Sequence, residues 1–274
     1  MRFLVFYLSV FFWVLCSRSA AQYELKKKIE GKFEQVSSDN LGHIYLVNEK
    51  HNLLKMSLSG DTLFTFEDKA FPVYFCDASN GLKVLVFNEK QNNLQFLDKT
   101  LTPLGGPLLI DQLSIPLVSA LGISRDNLFW IFDQNTQELK KFDVHSTQIF
   151  NSGSVIALTG FNIQPHYLRE QQAKVYLVDS LQGVFQFDHL GTYLYHFQSV
   201  KAKKIAVRGD KMVFLKGQEL YIYDTFLMET QKLQLNGAEG IKDFALDKSE
   251  IVVLTEKSVL IFRSEQKGIN KDKK

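Results

Sequence analysis

Only two cysteines, Cys16 and Cys76, occur in 274 residues, so a disulfide framework and a cysteine-based zinc site are excluded by count. An excess of one charge is missing too: 32 basic against 30 acidic residues leave +2, which gives no reason to expect nucleic acid as a partner. Nothing in the chain matches G-x-S-x-G, H-E-x-x-H, G-x-G-x-x-G or D-x-D-x-D-G, the patterns that bring a nucleophile, zinc, a dinucleotide or calcium. Alanine is scarce at eleven, whereas 23 Phe and ten Tyr are present. That weighting suits pleated, half-buried strands better than helices. With 45% hydrophobic and 23% charged residues, the balance is that of one globular domain or at most two, and an all-β fold is expected.

A sustained apolar run, FLVFYLSVFFWVLC, sits at the N-terminus. Arg2 precedes it and Ser19, Ala20 and Ala21 follow, the layout of a secretory signal peptide over residues 1–21. The run is short for a membrane span, so no transmembrane segment is expected after cleavage behind Ala21. Lipidation at Cys16 is the minor alternative, disfavoured because Leu15 just before it is not small. Cleavage leaves 253 residues (274 − 21) and removes Arg2 and Arg18, so 30 basic residues (32 − 2) meet 30 acidic ones and the mature chain is neutral. Residues 267–274, KGINKDKK, read as a solvated basic tail. Cys76, then the one remaining cysteine, lies in the apolar run VYFCD and reads as a buried, inert thiol.

The body of the chain repeats. HIYLVNEKHNLLKMSLSGDTLFTF, from His43, aligns without a gap on KVYLVDSLQGVFQFDHLGTYLYHF, from Lys174; Tyr45 matches Tyr176, Gly60 matches Gly191 and Phe66 matches Phe197. Further copies begin near residues 83, 127, 211 and 250, giving spacings of 40, 44, 47, 37 and 39. Each unit reads as a short inner strand, a buried strand ending in Asn or Asp, a turn, a third strand and a more polar fourth. Four short strands per unit of about 40 residues are the signature of a propeller blade. The last unit lacks its fourth strand, and the alternating YELKKKIE, Tyr23 to Glu30, can supply it.

On these residues the chain resembles six-bladed β-propellers of the NHL and TolB-like kind over residues 22–266. The fold expected is all-β: six four-stranded blades, monomeric, with residues 23–30 completing the last blade. In six-bladed enzymes of the lactonase type a divalent cation sits in the central channel, held by Glu, Asn and Asp from the inner strand ends, oxygen ligands that suit a hard cation. Here the inner strands are read as opening with FEQVSSD, PVYFCD, VSALGIS, FNIQPHYL, KKIAVRG and IKDFALD. The polar residues near the inner-strand entrances, Glu34, Asn162, His166, Lys204 and Asp243, are too mixed a set to predict a metal site, and no cofactor is expected; Glu34, Asn162, His166 and Asp243 are the channel candidates. The recurring Asp98, Asp143, Asp188 and Asp224 precede turns and are read as turn caps; Asn48, Asn88, Asp133 and Asp179 are read the same way. Trp130 is read as core rather than as a sugar-stacking platform.

The connections KAFPVYF and IDQLSIPLV are unusually apolar for loops. Phe71, Pro72, Leu113, Ile115, Pro116 and Leu117 either plug the ring between blades or form an apolar contact patch. The reading favoured is an exported, non-catalytic propeller that scaffolds another envelope or periplasmic protein. The alternatives are an enzyme of the lactonase or lyase type acting at the channel mouth, and a propeller that binds a small ligand or glycan there.

Overall fold

In the repeats, the second strand is apolar at nearly every position, so it must be covered on both faces. The computed structural model, which describes residues 23–247 and 249–264, shows how. The described residues form strands β1 to β24 in chain order, assembled into six antiparallel sheets of four. The inner strands of the six sheets are β2 (Phe33–Ser38), β6 (Phe75–Asn80), β10 (Val118–Ile123), β14 (Tyr167–Gln171), β18 (Lys204–Arg208) and β22 (Asp243–Leu246). Each touches the next and the last touches the first, which closes the ring around a central channel. The second strands begin at His43, Lys83, Phe129, Lys174, Lys211 and Glu250, each within two residues of the repeat starts.

Alternation within those strands assigns each side chain to one of two interfaces. In the strand from Lys174, Val175 and Leu177 pack toward blade three while Tyr176 and Val178 pack toward blade five. In the strand from His43, Ile44 and Leu46 meet blade six, and Tyr45 and Val47 meet blade two. Six hydrophobic clusters result, one between every pair of neighbouring blades. The aromatic excess fills them: Phe129, Trp130, Phe132, Phe185, Phe187, Phe244 and Phe262 are fully buried. Each such ring contributes roughly 2 kcal/mol by leaving water.

The ring closes as expected. Strand β1 (Tyr23–Glu30) lies antiparallel to β24 (Ser258–Ser264), from Tyr23 opposite Ser264 to Glu30 opposite Ser258. The last blade therefore has the order β22, β23 (Glu250–Leu254), β24, β1, with its outermost strand drawn from the other end of the chain. Residues 1–21, read as a signal, and the tail 267–274 lie outside the described residues. Among the described residues no helix is long and apolar enough to cross a membrane.

One boundary differs from the reading above. The inner strand of blade four starts at Tyr167, so most of FNIQPHYL belongs to the preceding connection. Residues Val155–Thr159 of that connection form a single helical turn, capped by the Ser154 hydroxyl, which accepts from the Ala157 amide, and ended by Gly160 at φ 79°. The extra residues lengthen the spacing between the second strands of blades three and four.

Candidate functional site: the central channel and the loop face

Strand direction alternates within each blade, so the ring has two unlike ends. At one, the loop face, lie the long connections between blades and the turns between second and third strands. At the other, the turn face, lie the turns between first and second and between third and fourth strands.

The channel wall is polar, and its polar groups join blades. Gln35 clasps the Cys76 backbone at both ends: its Oε1 accepts from the Cys76 amide at 2.7 Å and its Nε2 donates to the Cys76 carbonyl at 3.1 Å. Asp77 Oδ2 accepts from the Ile123 amide at 3.0 Å. Glu170 accepts from the Ser124 hydroxyl at 2.5 Å and from Trp130 Nε1 at 2.7 Å. Gln171 Oε1 accepts from the Val207 amide, and Asp243 Oδ2 from the Val36 amide, both at 2.8 Å. Lys204 Nζ completes the circle by donating to Asp243 at 2.8 Å and to the Val36 carbonyl at 2.7 Å. All six junctions thus carry a side-chain clasp. Each satisfies an inner-strand backbone or side-chain group that burial would otherwise leave unpaired.

A second pair reaches further. Arg169 NH1 of blade four donates to Asp77 Oδ1 of blade two at 3.0 Å, passing over blade three. Gly122 makes room: a Cβ there would stand 3.0 Å from the Leu168 carbonyl and 3.2 Å from Asp77 Oδ2. Burial opposes the Arg169 charge, but Asp77 and Tyr167 more than offset it, so the guanidinium is held charged. Cys76 is buried in the cluster between blades one and two, and burial with the neighbouring Asp77 pushes its thiol well above the usual range, in keeping with an inert thiol.

The sequence candidates fall in different places. Asp243 is buried in the wall and engaged by Lys204 and Val36. His166 stands at the loop-face mouth, where Nε2 carries the proton and donates to the Lys203 carbonyl at 2.8 Å. Glu34 is exposed. Asn162 is exposed in the connection before β14, not on an inner strand as read, and its carbonyl accepts from Gln182 Nε2. Of the four, only His166 lines the mouth cavity, about 390 Å³, together with Phe75, Phe87, Leu117, Ala120 and Tyr167. Among the described residues no three His, Cys, Asp or Glu side chains are grouped as a metal ion would need.

The loop residues divide. Phe71, Leu113 and Ile115 are buried in the clusters between blades and plug the ring. Pro72 is half-buried, and Pro116 and Leu117 are exposed on the loop face beside the cavity. Sequence reasoning missed four apolar residues further along this face: Ile156, Leu158 and Phe161 in the long connection, and Leu181, 80% exposed, at the tip of the neighbouring turn. The two stretches are joined, because the Gln134 amide donates to the Leu117 carbonyl and Gln134 Nε2 to the Ile163 carbonyl. The 47-residue spacing was the signal that could have pointed to them. The turn caps behave as read: Asp98 accepts from the Thr100 and Thr102 amides, Asp188 from Leu190 and Thr192, and Asn48 from Lys50 and Asn52. Trp130 is fully buried.

Closed ring, six blades and a strand exchanged between the termini settle the architecture. The chain is a six-bladed β-propeller. Neither a family model nor a curated protein matches it. Among solved structures this propeller is similar to a streptogramin B lyase, with 10% identity and a TM-score of 0.61 over 89% of this chain and 98% of that one. It is also similar to the Neurospora crassa Pan2 WD40 domain, with 8% identity and a TM-score of 0.55 over 90% of this chain and 96% of that one. At such identities the likeness is one of fold, and the propeller's task must be argued from its own residues.

Proposed function

We propose that this propeller is an exported, non-catalytic scaffold that holds a protein partner of the periplasm or cell envelope on its loop face. One observation carries the reading. The charged side chains of the channel are engaged in holding the blades together, whereas large apolar side chains on the loop face, Leu117, Leu158 and Leu181 among them, are exposed to water. A rigid ring with an uncovered apolar patch is suited to binding. Export is supported by the N-terminal sequence, Arg2 to Ala21. The test is capture from envelope extracts with the wild-type chain and with Leu117→Asp and Leu181→Asp combined. A partner retained by the first and lost by the second is expected; equal capture overturns the reading.

The small-ligand alternative has the mouth cavity in its favour, since aromatic walls with His166, Asn92 and Glu89 at the rim are features of a ligand pocket. A ligand that raises the melting temperature, with the gain abolished by His166→Ala, would favour it. A stoichiometric divalent cation lost on Glu34→Ala or Asp243→Ala would instead favour the lactonase-like enzyme.

A further inference from the structure

The cavity at the loop-face mouth has walls of one kind and a rim of another. Its apolar walls include the rings of Phe75 and Phe87, which are partners across β6 and β7 (Lys83–Asn88), and of Tyr167 at the start of β14. Four polar residues complete it: Glu89, Asn92, Ser119 and His166. Among the described residues no lysine or arginine lines it.

The hydrogen bonds these residues already make determine what the rim has to offer. His166 Nε2 donates to the Lys203 carbonyl, so Nδ1 of the neutral ring is an acceptor. Asn92 Nδ2 donates to Asp111 Oδ1 at 3.0 Å, which leaves the amide oxygen as its other end. Glu89 is exposed, and a carboxylate only accepts. Ser119 Oγ, buried without a hydrogen-bond partner among the described residues, is the one group of the four that can both donate and accept. The rim is therefore rich in acceptors and poor in donors, and a ligand that satisfies it must bring N–H groups of its own.

Rings at this mouth already meet cations. Lys90 Nζ stands 4.7 Å from the ring centre of Tyr74, next to Phe75, and Lys204 Nζ stands 5.9 Å from that of Tyr167. Both cations are engaged. Lys90 is held charged first by its hydrogen bond to Tyr74, with Glu89 the least of its influences, and Lys204 donates to Asp243 and the Val36 carbonyl. Of the other charges at this end of the channel, exposed Lys203 is offset by exposed Glu34 and Asp111.

We propose, resting on the reading of the mouth cavity as a ligand pocket, that it takes an organic cation: an ammonium or guanidinium group on an apolar frame. The frame lies against Phe75, Phe87 and Tyr167, and the N–H groups turn to Glu89, Asn92 and His166. Aromatic walls attract a positive group through the ring quadrupole, and the rim carboxylate selects the sign of the charge. A neutral alcohol brings one donor to several acceptors, and an anion brings none. Free amines and the lysine side chains of proteins both carry the required group.

The test is calorimetric titration of the full chain, purified as the cell processes it, with three probes that share one frame: phenylethylamine, phenylethanol and phenylpropanoate. The amine should bind at least about tenfold more tightly than the alcohol, and the carboxylate should not bind. Glu89→Gln should weaken the amine by about three- to tenfold and leave the alcohol unchanged, with melting temperature reporting that the variant is folded. N-acetyl-lysine amide distinguishes the sources: affinity at or above that of phenylethylamine assigns the site to a protein lysine, and lower affinity assigns it to a free amine. Leu181→Asp, outside the cavity, should bind the amine as the wild type does, so failure here is separable from failure of the scaffold reading. Equal affinity for amine and alcohol leaves a ligand pocket but overturns its cationic assignment. No binding of the amine, or amine binding unchanged by Glu89→Gln, overturns it as well.

Discussion

The channel wall and the loop face use their residues in opposite ways. In the wall, Asp77, Glu170 and Asp243 are polar yet buried and Gln35, Gln171 and Lys204 half-buried, and each is engaged across a blade junction. On the loop face, Leu117, Ile156, Leu158, Phe161 and Leu181 are apolar yet exposed. The difference separates what maintains the ring from what is free to meet another molecule. A change in the wall should cost stability, and a change on the face should cost binding alone.

The strongest way to break that contrast is to ask whether the clasps can hold the ring without its outer closure. Deleting residues 23–30 uncovers β24 along its whole length. The expected outcome is aggregation, or a fall in melting temperature of at least about 10 °C by calorimetry. Unchanged melting would mean that the inner clasps suffice.

Next comes the wall itself. Asp77→Ala strips the buried Arg169 of its carboxylate and should cost about 3–5 kcal/mol in urea unfolding, while the double variant with Arg169→Met should recover most of it. Additive losses would show that the two side chains act independently. On the loop face, one residue is structural by geometry. Gly183 has φ +111°, and a Cβ there would stand 2.5 Å from the Phe197 carbonyl, so Gly183→Ala should cost about 1–3 kcal/mol. Leu117→Asp and Leu181→Asp nearby should each stay within about 0.5 kcal/mol of wild type while losing the partner. A large loss of stability would place these side chains in the core.

The smallest effect sharpens the contrast from the turn face. Asp98 is held below the ordinary aspartate range by the Thr100 hydroxyl first and the Thr102 amide next, and Asp143 by the Thr147 amide. A depressed folded value contributes stability above the unfolded value and loses it as pH falls through the folded one. Melting temperature should therefore drop as pH is lowered below about 4. Asp98→Asn with Asp143→Asn should make that slope shallower, because asparagine keeps an accepting oxygen without titrating. An unchanged slope would show that these two caps do not carry the acid sensitivity.

Much of this was legible before any coordinates. The repeat placed the second strands, the missing last strand pointed to Tyr23–Glu30, and the Asp and Asn residues before turns were recognisable because a cap and its amides lie two to four residues apart. The site was less legible. FNIQPHYL is apolar enough to pass for an inner strand, which would put Asn162 on it, yet the ladder begins at Tyr167. The clasps left no local pattern: Gln35 and Cys76 are 41 residues apart, and Asp77 and Arg169 are 92 apart.

The amino-acid sequence by itself determined the number of blades, the order of their strands and the means of closure, because those follow from periodicity and from local turn chemistry. Only the tertiary structure decided which polar groups are committed and which apolar groups are free. Ile115 and Leu117, two residues apart in one loop, differ as core and surface because one faces a neighbouring blade and the other faces water, and burial is set by neighbours that chain order does not name.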